Sequence, residues 1–291
     1  MIVTHPDTVR VHPVERAIEL LRERYVSPER AEAAATALRQ RLTAGAYDGL
    51  DDSTLAERLT EDLLDVCPDT HLWVRVRDER RAPAGASVRR VEILDGNIGY
   101  LDVRRMSGST NGGRAIIGAM ELVSRTDALI LDLRENGGGS PDGVVLWSSY
   151  LLPAGPTHLN SIYDRVTDRT RQLWSLAWLP GERYLDRPLY VLTSDRTFSG
   201  AEDLCLNLKV RGRARLVGET TRGGANLATV HELTPTMEIA VPHAYSINPI
   251  TGGNWEGTGV EPDLAVPAAT AFDVAYAELL DAPGEPGRRG H

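Results

Sequence analysis

The chain has 291 residues, 42% of them apolar and 25% charged, which suits one large domain or two modest ones of ordinary soluble composition. Its 32 basic and 41 acidic residues give a formal charge of −9, which argues against a general nucleic-acid binder, and no stretch interleaves Lys or Arg with aromatics. No apolar run approaches the roughly 20 residues that span a bilayer, so no membrane association is expected, and Cys67 and Cys205 are too few for a disulfide scaffold. The start, Met1 to Asp7, lacks the basic-then-apolar pattern of a secretory signal, so the expected location is the cytoplasm with reduced thiols.

The first stretch reads as helical. Val14, Ala17, Ile18, Leu21 and Tyr25 fall on one face of a helix, and Pro28 after Ser27 suits the first turn of a second that runs to Leu42. Gly45 ends it, and a third begins near Ser53 with Leu55, Leu59, Leu63 and Leu64 facing inward. Residues 1–68 are therefore expected to form a small helical bundle. After Pro68 the pattern changes to the alternating strand 72–76, a charged Pro- and Gly-containing loop over 77–87, and a second strand over 98–103. A helix around 115–124, a buried strand over 128–133, a helix around 144–151, a buried strand over 189–193 and a helix over 200–210 follow. This alternation predicts an α/β core with parallel strands in a domain over 69–281. The strand-rich remainder runs to Val266, and 282–291 is Pro- and Gly-rich and expected to be disordered.

The segment Thr197-Phe198-Ser199-Gly200-Ala201-Glu202 sits where a buried strand should end and a helix begin. A serine there is exposed at the strand's carboxyl edge, and the Gly200 amide lies at the positive end of the helix dipole, where it can hold an oxyanion. Ser-x-x-Glu is equally a capping box, in which Ser199 and Glu202 merely close the helix start. The triple glycine 137–139 can present N–H groups to an anion, or serve as a tight turn beside a packed helix. It is neither a dinucleotide fingerprint nor a phosphate loop, because position 142 is Asp and no Gly-Lys-Ser/Thr follows. A nucleophilic serine needs a base. His5, His12 and His291 lie near the termini and His158 in an irregular stretch; among His71, His231 and His243, position alone does not choose. Without H-E-x-x-H, C-x-x-C or a dense carboxylate cluster, no metal site and no cofactor are expected.

Taken in order, Asp132-Leu133-Arg134-Glu135-Asn136-Gly137-Gly138-Gly139, Thr193-Ser194, the Ser199 hexapeptide and Gly218-Glu219-Thr220-Thr221-Arg222-Gly223-Gly224 resemble peptidase family S41. Trp255-Glu256-Gly257-Thr258-Gly259-Val260-Glu261-Pro262-Asp263, and the helical bundle ending in Asp69-Thr70-His71-Leu72, are similar to the tricorn-core and interphotoreceptor retinoid-binding branch. The resemblance runs from about Val14 to Val266. It implies a crotonase- and ClpP-like ββα catalytic core, and a serine peptidase or related acyl hydrolase. Processing proteases of the family use a Ser–Lys dyad, but the lysine position is Gly224 here and Lys209 lies within a predicted helix. The tricorn-like branch instead implies His71 as base and Glu256 as its orienting carboxylate, with Ser199 as nucleophile and Thr70 where that branch often has serine. Gly200 with Gly138 or Gly139 would form the oxyanion hole. The interval from Leu72 to Ile98 is too short for a peptide-binding PDZ module.

The substrate is expected to be a short peptide or peptide-like small molecule, and self-association into a homo-oligomer is left open. Trp174 and Trp178 are four apart, so on a helix they share a face. Packing onto the sheet is their default reading; as pocket residues they would bind an apolar part of the substrate. Two other functions compete: a non-hydrolytic oxyanion-hole enzyme tailoring a metabolite, and a hydrophobic-ligand carrier that would need none of Ser199, His71 and Glu256.

Overall fold

The computed structural model describes residues 12–78 and 87–281. In chain order the elements begin with α1 (Pro13–Arg24), α2 (Pro28–Thr43), α3 (Asp52–Leu64), β1 (Trp73–Val76), β2 (Val88–Leu94) and β3 (Ile98–Val103). They continue with α4 (Ser109–Val123), β4 (Ala128–Asp132), α5 (Pro141–Leu151), β5 (His158–Asp164), β6 (Arg169–Trp174) and β7 (Leu189–Thr193). The last are α6 (Gly200–Val210), β8 (Arg215–Gly218), β9 (Asn226–Glu232), β10 (Met237–Ile247), β11 (Leu264–Ala265) and α7 (Ala271–Asp281). The predicted tail and most of the predicted loop after β1 lie outside the described residues. Among the described residues no helix is long and apolar enough to cross a membrane.

The chain forms two compact units. Of the described residues, the first comprises 12–78 together with 163–169 and 226–245, so β9 and most of β10 join the amino-terminal helices. Pro13 and Pro28 occupy first-turn positions where no intrahelical donor is needed, and the side chains of Ser27 and Asp51 cap α2 and α3. The helical face read from the sequence is the buried one: Val14, Ile18, Leu21 and Tyr25 pack with Leu38, Leu59 and Leu63 against Met237, Ile239 and Val241 of β10. β10 pairs antiparallel with both β1 and β9.

The second unit is built on a six-stranded sheet in the order β11-β8-β7-β4-β3-β2. Its strands run parallel from β11 to β3, and β2 pairs antiparallel at the edge. β3 and β4 are buried along their whole length, the signature of strands covered on both faces. One face, through Ile98, Tyr100, Ile130, Leu192 and Val217, packs against Ala271 and Ala275 of α7. This is the α/β core with N-terminal helices that the alternation predicted. Between β1 and β3 the described residues hold only β2, and no PDZ module is evident. Because β3, β4, β7 and β8 are parallel neighbours, the loops after β4, β7 and β8 all leave the carboxyl edge of the sheet, where such folds place their ligands.

Candidate active site

Ser199 terminates the loop after β7 and is the residue immediately before α6. Its backbone has φ 56° and ψ −119°, a left-handed geometry that a side-chain-bearing residue adopts only at a cost of order 1–3 kcal/mol. An ordinary N-cap is extended, and Ser199 is not. Both halves of a capping box are nonetheless present: Glu202 Oε2 accepts the Ser199 N–H at 2.6 Å, and the Ser199 side chain faces the Glu202 N–H.

The turn after β4 lies against this elbow. Gly138 and Gly139 have φ of 88° and 144°, and a Cβ on Gly138 would stand 2.6 Å from Phe198 O and 2.7 Å from Ser199 Cβ. Only glycine permits this approach. The two loops are laced by Phe198 N–H to Asn136 O at 3.0 Å, Thr197 Oγ1 to Leu133 O at 2.9 Å and Ser194 Oγ to Arg134 O at 2.5 Å. The Gly138 N–H donates to Asn136 Oδ1 at 2.9 Å, whereas the Gly139 and Gly200 N–H groups find no acceptor among the described residues. Of the three N–H groups, those of Gly139 and Gly200 are thus the two without an acceptor among the described residues.

Behind the elbow, Glu202 is fully buried and accepts four hydrogen bonds. Besides Ser199 N–H they come from Thr221 Oγ1 at 2.6 Å, Gly223 N–H at 2.6 Å and Gly224 N–H at 2.9 Å. Burial pushes its pKa up, and the four donors oppose that shift. The loop after β8 is tied in turn to the Trp255 segment, whose indole N–H donates to Gly224 O at 2.8 Å. Glu256, next in the chain, accepts the Ala225 N–H on Oε2 at 2.6 Å. Ser199, Gly139, Gly200, Glu202 and Glu256 therefore belong to one unit whose carboxyl-edge loops are mutually bonded. Lys209, the chain's single lysine, sits in the last turn of α6 and pairs with Asp263 at 3.6 Å.

Asp203, beside Glu202, accepts Nδ2 hydrogen bonds from Asn160 at 2.9 Å and Asn207 at 2.7 Å. Burial pushes its carboxyl up to about 7, opposed by Asn160, Arg211 and Asn207. A carboxyl that holds its proton longer folded than unfolded makes folding take up a proton between pH ~4 and ~7, so stability falls as pH rises through that window. Asp203→Asn should flatten this segment by about 1.4 kcal/mol per pH unit, measured as urea unfolding free energies at pH 5, 6 and 7. Parallel curves for the two proteins would contradict the assignment.

His71 and Thr70 belong to the first unit. His71 lies in the turn two residues before β1, and its N–H donates to Asp69 Oδ1 at 2.9 Å. The two competing histidines have other settings: His231 lies within β9, where burial lowers its pKa, and His243 within β10, with Nδ1 3.4 Å from Asp164. Trp174 and Trp178 do not share a helix face. Trp174 closes β6, Trp178 follows in irregular chain, and they are 43% and 77% exposed, which rules out core packing as their reason for being there. Trp174 stacks on His158 with ring centroids 4.7 Å apart. Trp147 is core, as expected, and both cysteines are buried free thiols. Two residues escaped the sequence reading: Asn136, which takes the Gly138 amide, and Asp69, whose Asp-x-His spacing is an Asx-turn signal.

Residues 97–266 match the family model of peptidase family S41, and residues 8–94 match that of the N-terminal domain of peptidase S41 in eukaryotic IRBP. The carboxy-terminal processing protease CtpA of Bacillus subtilis is 27% identical over 200 residues, 66% of this chain and 39% of that protein. The carboxyl-terminal-processing protease of Synechocystis is 31% identical over 195 residues, 64% of this chain and 43% of that one. The chain thus spans about two fifths of the length of these relatives. A solved structure of a candidate peptidase from Parabacteroides merdae shares the fold, with a TM-score of 0.67 at 18% identity over 92% of this chain and 96% of that one.

Proposed function

This chain belongs to peptidase family S41, and on that premise we propose that it is a serine peptidase acting on short peptides through Ser199, His71 and Glu256. The observation that carries the proposal is the strained elbow at Ser199, packed against a glycine turn, with the Gly139 and Gly200 N–H groups lacking acceptors among the described residues. Strain at a non-glycine position persists only where the surrounding structure over-determines it, and such positions cluster at active sites.

In the proposed reaction His71 accepts the Ser199 hydroxyl proton as Ser199 Oγ attacks the substrate carbonyl carbon. The carbonyl oxygen becomes an oxyanion held by the N–H groups of Gly200 and Gly139, each donor contributing roughly 3–4 kcal/mol at the transition state. His71 then returns the proton to the departing amine. Water, deprotonated by the same histidine, releases the acyl group from Ser199. Glu256 orients the imidazole and stabilises its charged form. A Ser–Lys dyad has no candidate, because the single lysine, Lys209, is committed near Asp263 in the last turn of α6.

The test is a fluorophosphonate probe on the full chain, with the adduct located by mass spectrometry. Wild type should carry it on Ser199, Ser199→Ala should carry none, and His71→Ala should react at least roughly 100-fold more slowly. A folded wild type that takes no adduct would sink the hydrolase reading in favour of a non-hydrolytic enzyme or a carrier.

A further inference from the structure

The proposed mechanism leaves two buried carboxylates of the first unit without a role, and of these Asp62 pairs with Arg41 and Arg58 whereas Asp69 has no arginine or lysine partner among the described residues. Asp69 is 1% exposed. Its Oδ1 accepts the His71 N–H at 2.9 Å and lies 3.9 Å from His71 Nδ1. Its Oδ2 accepts Asn226 Nδ2 at 2.8 Å and the Tyr25 hydroxyl at 3.4 Å, and its carbonyl accepts the Leu72 N–H at 2.9 Å. The turn bearing His71 is thus pinned by one carboxylate, itself gripped from β9 and from the residue that caps α1.

Closing such a turn does not require a charge, since an asparagine oxygen accepts the same backbone N–H. A buried carboxylate held by neutral donors is costly unless a cation shares its surroundings. Among the described residues the one ion-pair partner of Asp69 within 4 Å is the His71 ring. We propose that Asp69 is the positioning residue of His71: it fixes the turn through the backbone, and its charge favours the imidazolium formed when His71 takes the Ser199 proton. The inference rests on the reading of His71 as the base.

The experiment compares fluorophosphonate labelling rates and thermal midpoints of the full chain. Asp69→Asn removes the charge and sets an amide against the Asn226 amide. The double variant Asp69→Asn/Asn226→Asp exchanges the two groups, so an amide again donates to a carboxylate across the same contact while the charge leaves the His71 turn. The exchange should return the midpoint to within about 3 °C of wild type, yet label Ser199 roughly 10–100-fold more slowly, the usual scale for losing a supporting partner. Labelling that recovers together with the midpoint would reduce Asp69 to a builder of the turn. Should the exchange fail to fold, Asp69→Glu, which keeps the charge, should label within about tenfold of wild type, and a loss as large as that of Asp69→Ala overturns the proposal. No labelling of wild type removes the reading of Ser199 and His71 and this inference with it; a wild type that labels and an exchange that labels equally fast remove the inference alone.

Discussion

Replacing Ser199 with glycine should abolish peptidase turnover and at the same time make the protein more stable. The loss follows from the proposed chemistry: without the hydroxyl there is no acyl intermediate, and removal of such a nucleophile costs roughly 10⁴- to 10⁶-fold in kcat. The gain follows from the backbone. At φ 56° and ψ −119° a Cβ is strained and glycine is not, so Ser199→Gly should relieve about 1 kcal/mol, some 2 °C in thermal midpoint. Ser199→Ala is the control, since it removes the hydroxyl and keeps the Cβ. It should be as inactive as the glycine variant without the rise in midpoint. Equal midpoints for the two would mean that the elbow stores no strain. Measurable turnover in either would mean that Ser199 is not the nucleophile. The glycine variant keeps the bond to Glu202, because that bond uses the Ser199 backbone N–H.

The parts of this architecture that could be read from the sequence are those whose physics is local. β3, β4 and β7 are short apolar runs ending in loops with Gly or Ser, and α6 begins at the residue its capping signal indicates. β2 breaks its apolar residues with Arg89, Arg90 and Glu92 on an edge strand, and β6 is exposed at five of its six positions, so neither shows the continuous apolar run of a buried strand. Their pairing partners, rather than their composition, make them strands. The membership of residues 226–245 in the first unit is a long-range choice, fixed by Met237, Ile239 and Val241 completing the core under α1–α3. At the site, the glycines were legible as a motif, but the division of labour between them was not. It depends on one side chain, Asn136, turning its amide oxygen onto the Gly138 N–H, while the Gly139 N–H has no acceptor among the described residues. The spacing of Trp174 and Trp178 suggested a shared helix face; β6 instead makes them neighbours in sequence only.

Glu202→Gln should be the most damaging isosteric change in the second unit. Each carboxylate oxygen accepts two short bonds: Oε1 those of Thr221 Oγ1 and Gly223 N–H, Oε2 those of Ser199 N–H and Gly224 N–H. An amide offers one oxygen and one NH₂, and in either orientation the NH₂ faces two donors that it cannot satisfy. With the side chain fully buried, water cannot replace the lost acceptor, so two stranded donors at about 1–3 kcal/mol each predict a loss of roughly 3–5 kcal/mol. The functional consequence follows the same bonds. Glu202 joins the Ser199 elbow to residues 223–224, whose neighbour Ala225 holds the Glu256 carboxylate at 2.6 Å. Loosening that junction lets Ser199 and Glu256, the proposed nucleophile and orienting carboxylate, move independently, and a displacement of about 1 Å costs on the order of 100-fold in rate. Denaturant unfolding together with the fluorophosphonate labelling rate of the folded variant measures both effects. A destabilisation below about 1 kcal/mol with labelling at the wild-type rate would show that Glu202 is an ordinary helix cap. A large loss of stability with unchanged labelling would show that it braces the fold while the geometry at Ser199 is held by the glycine turn alone.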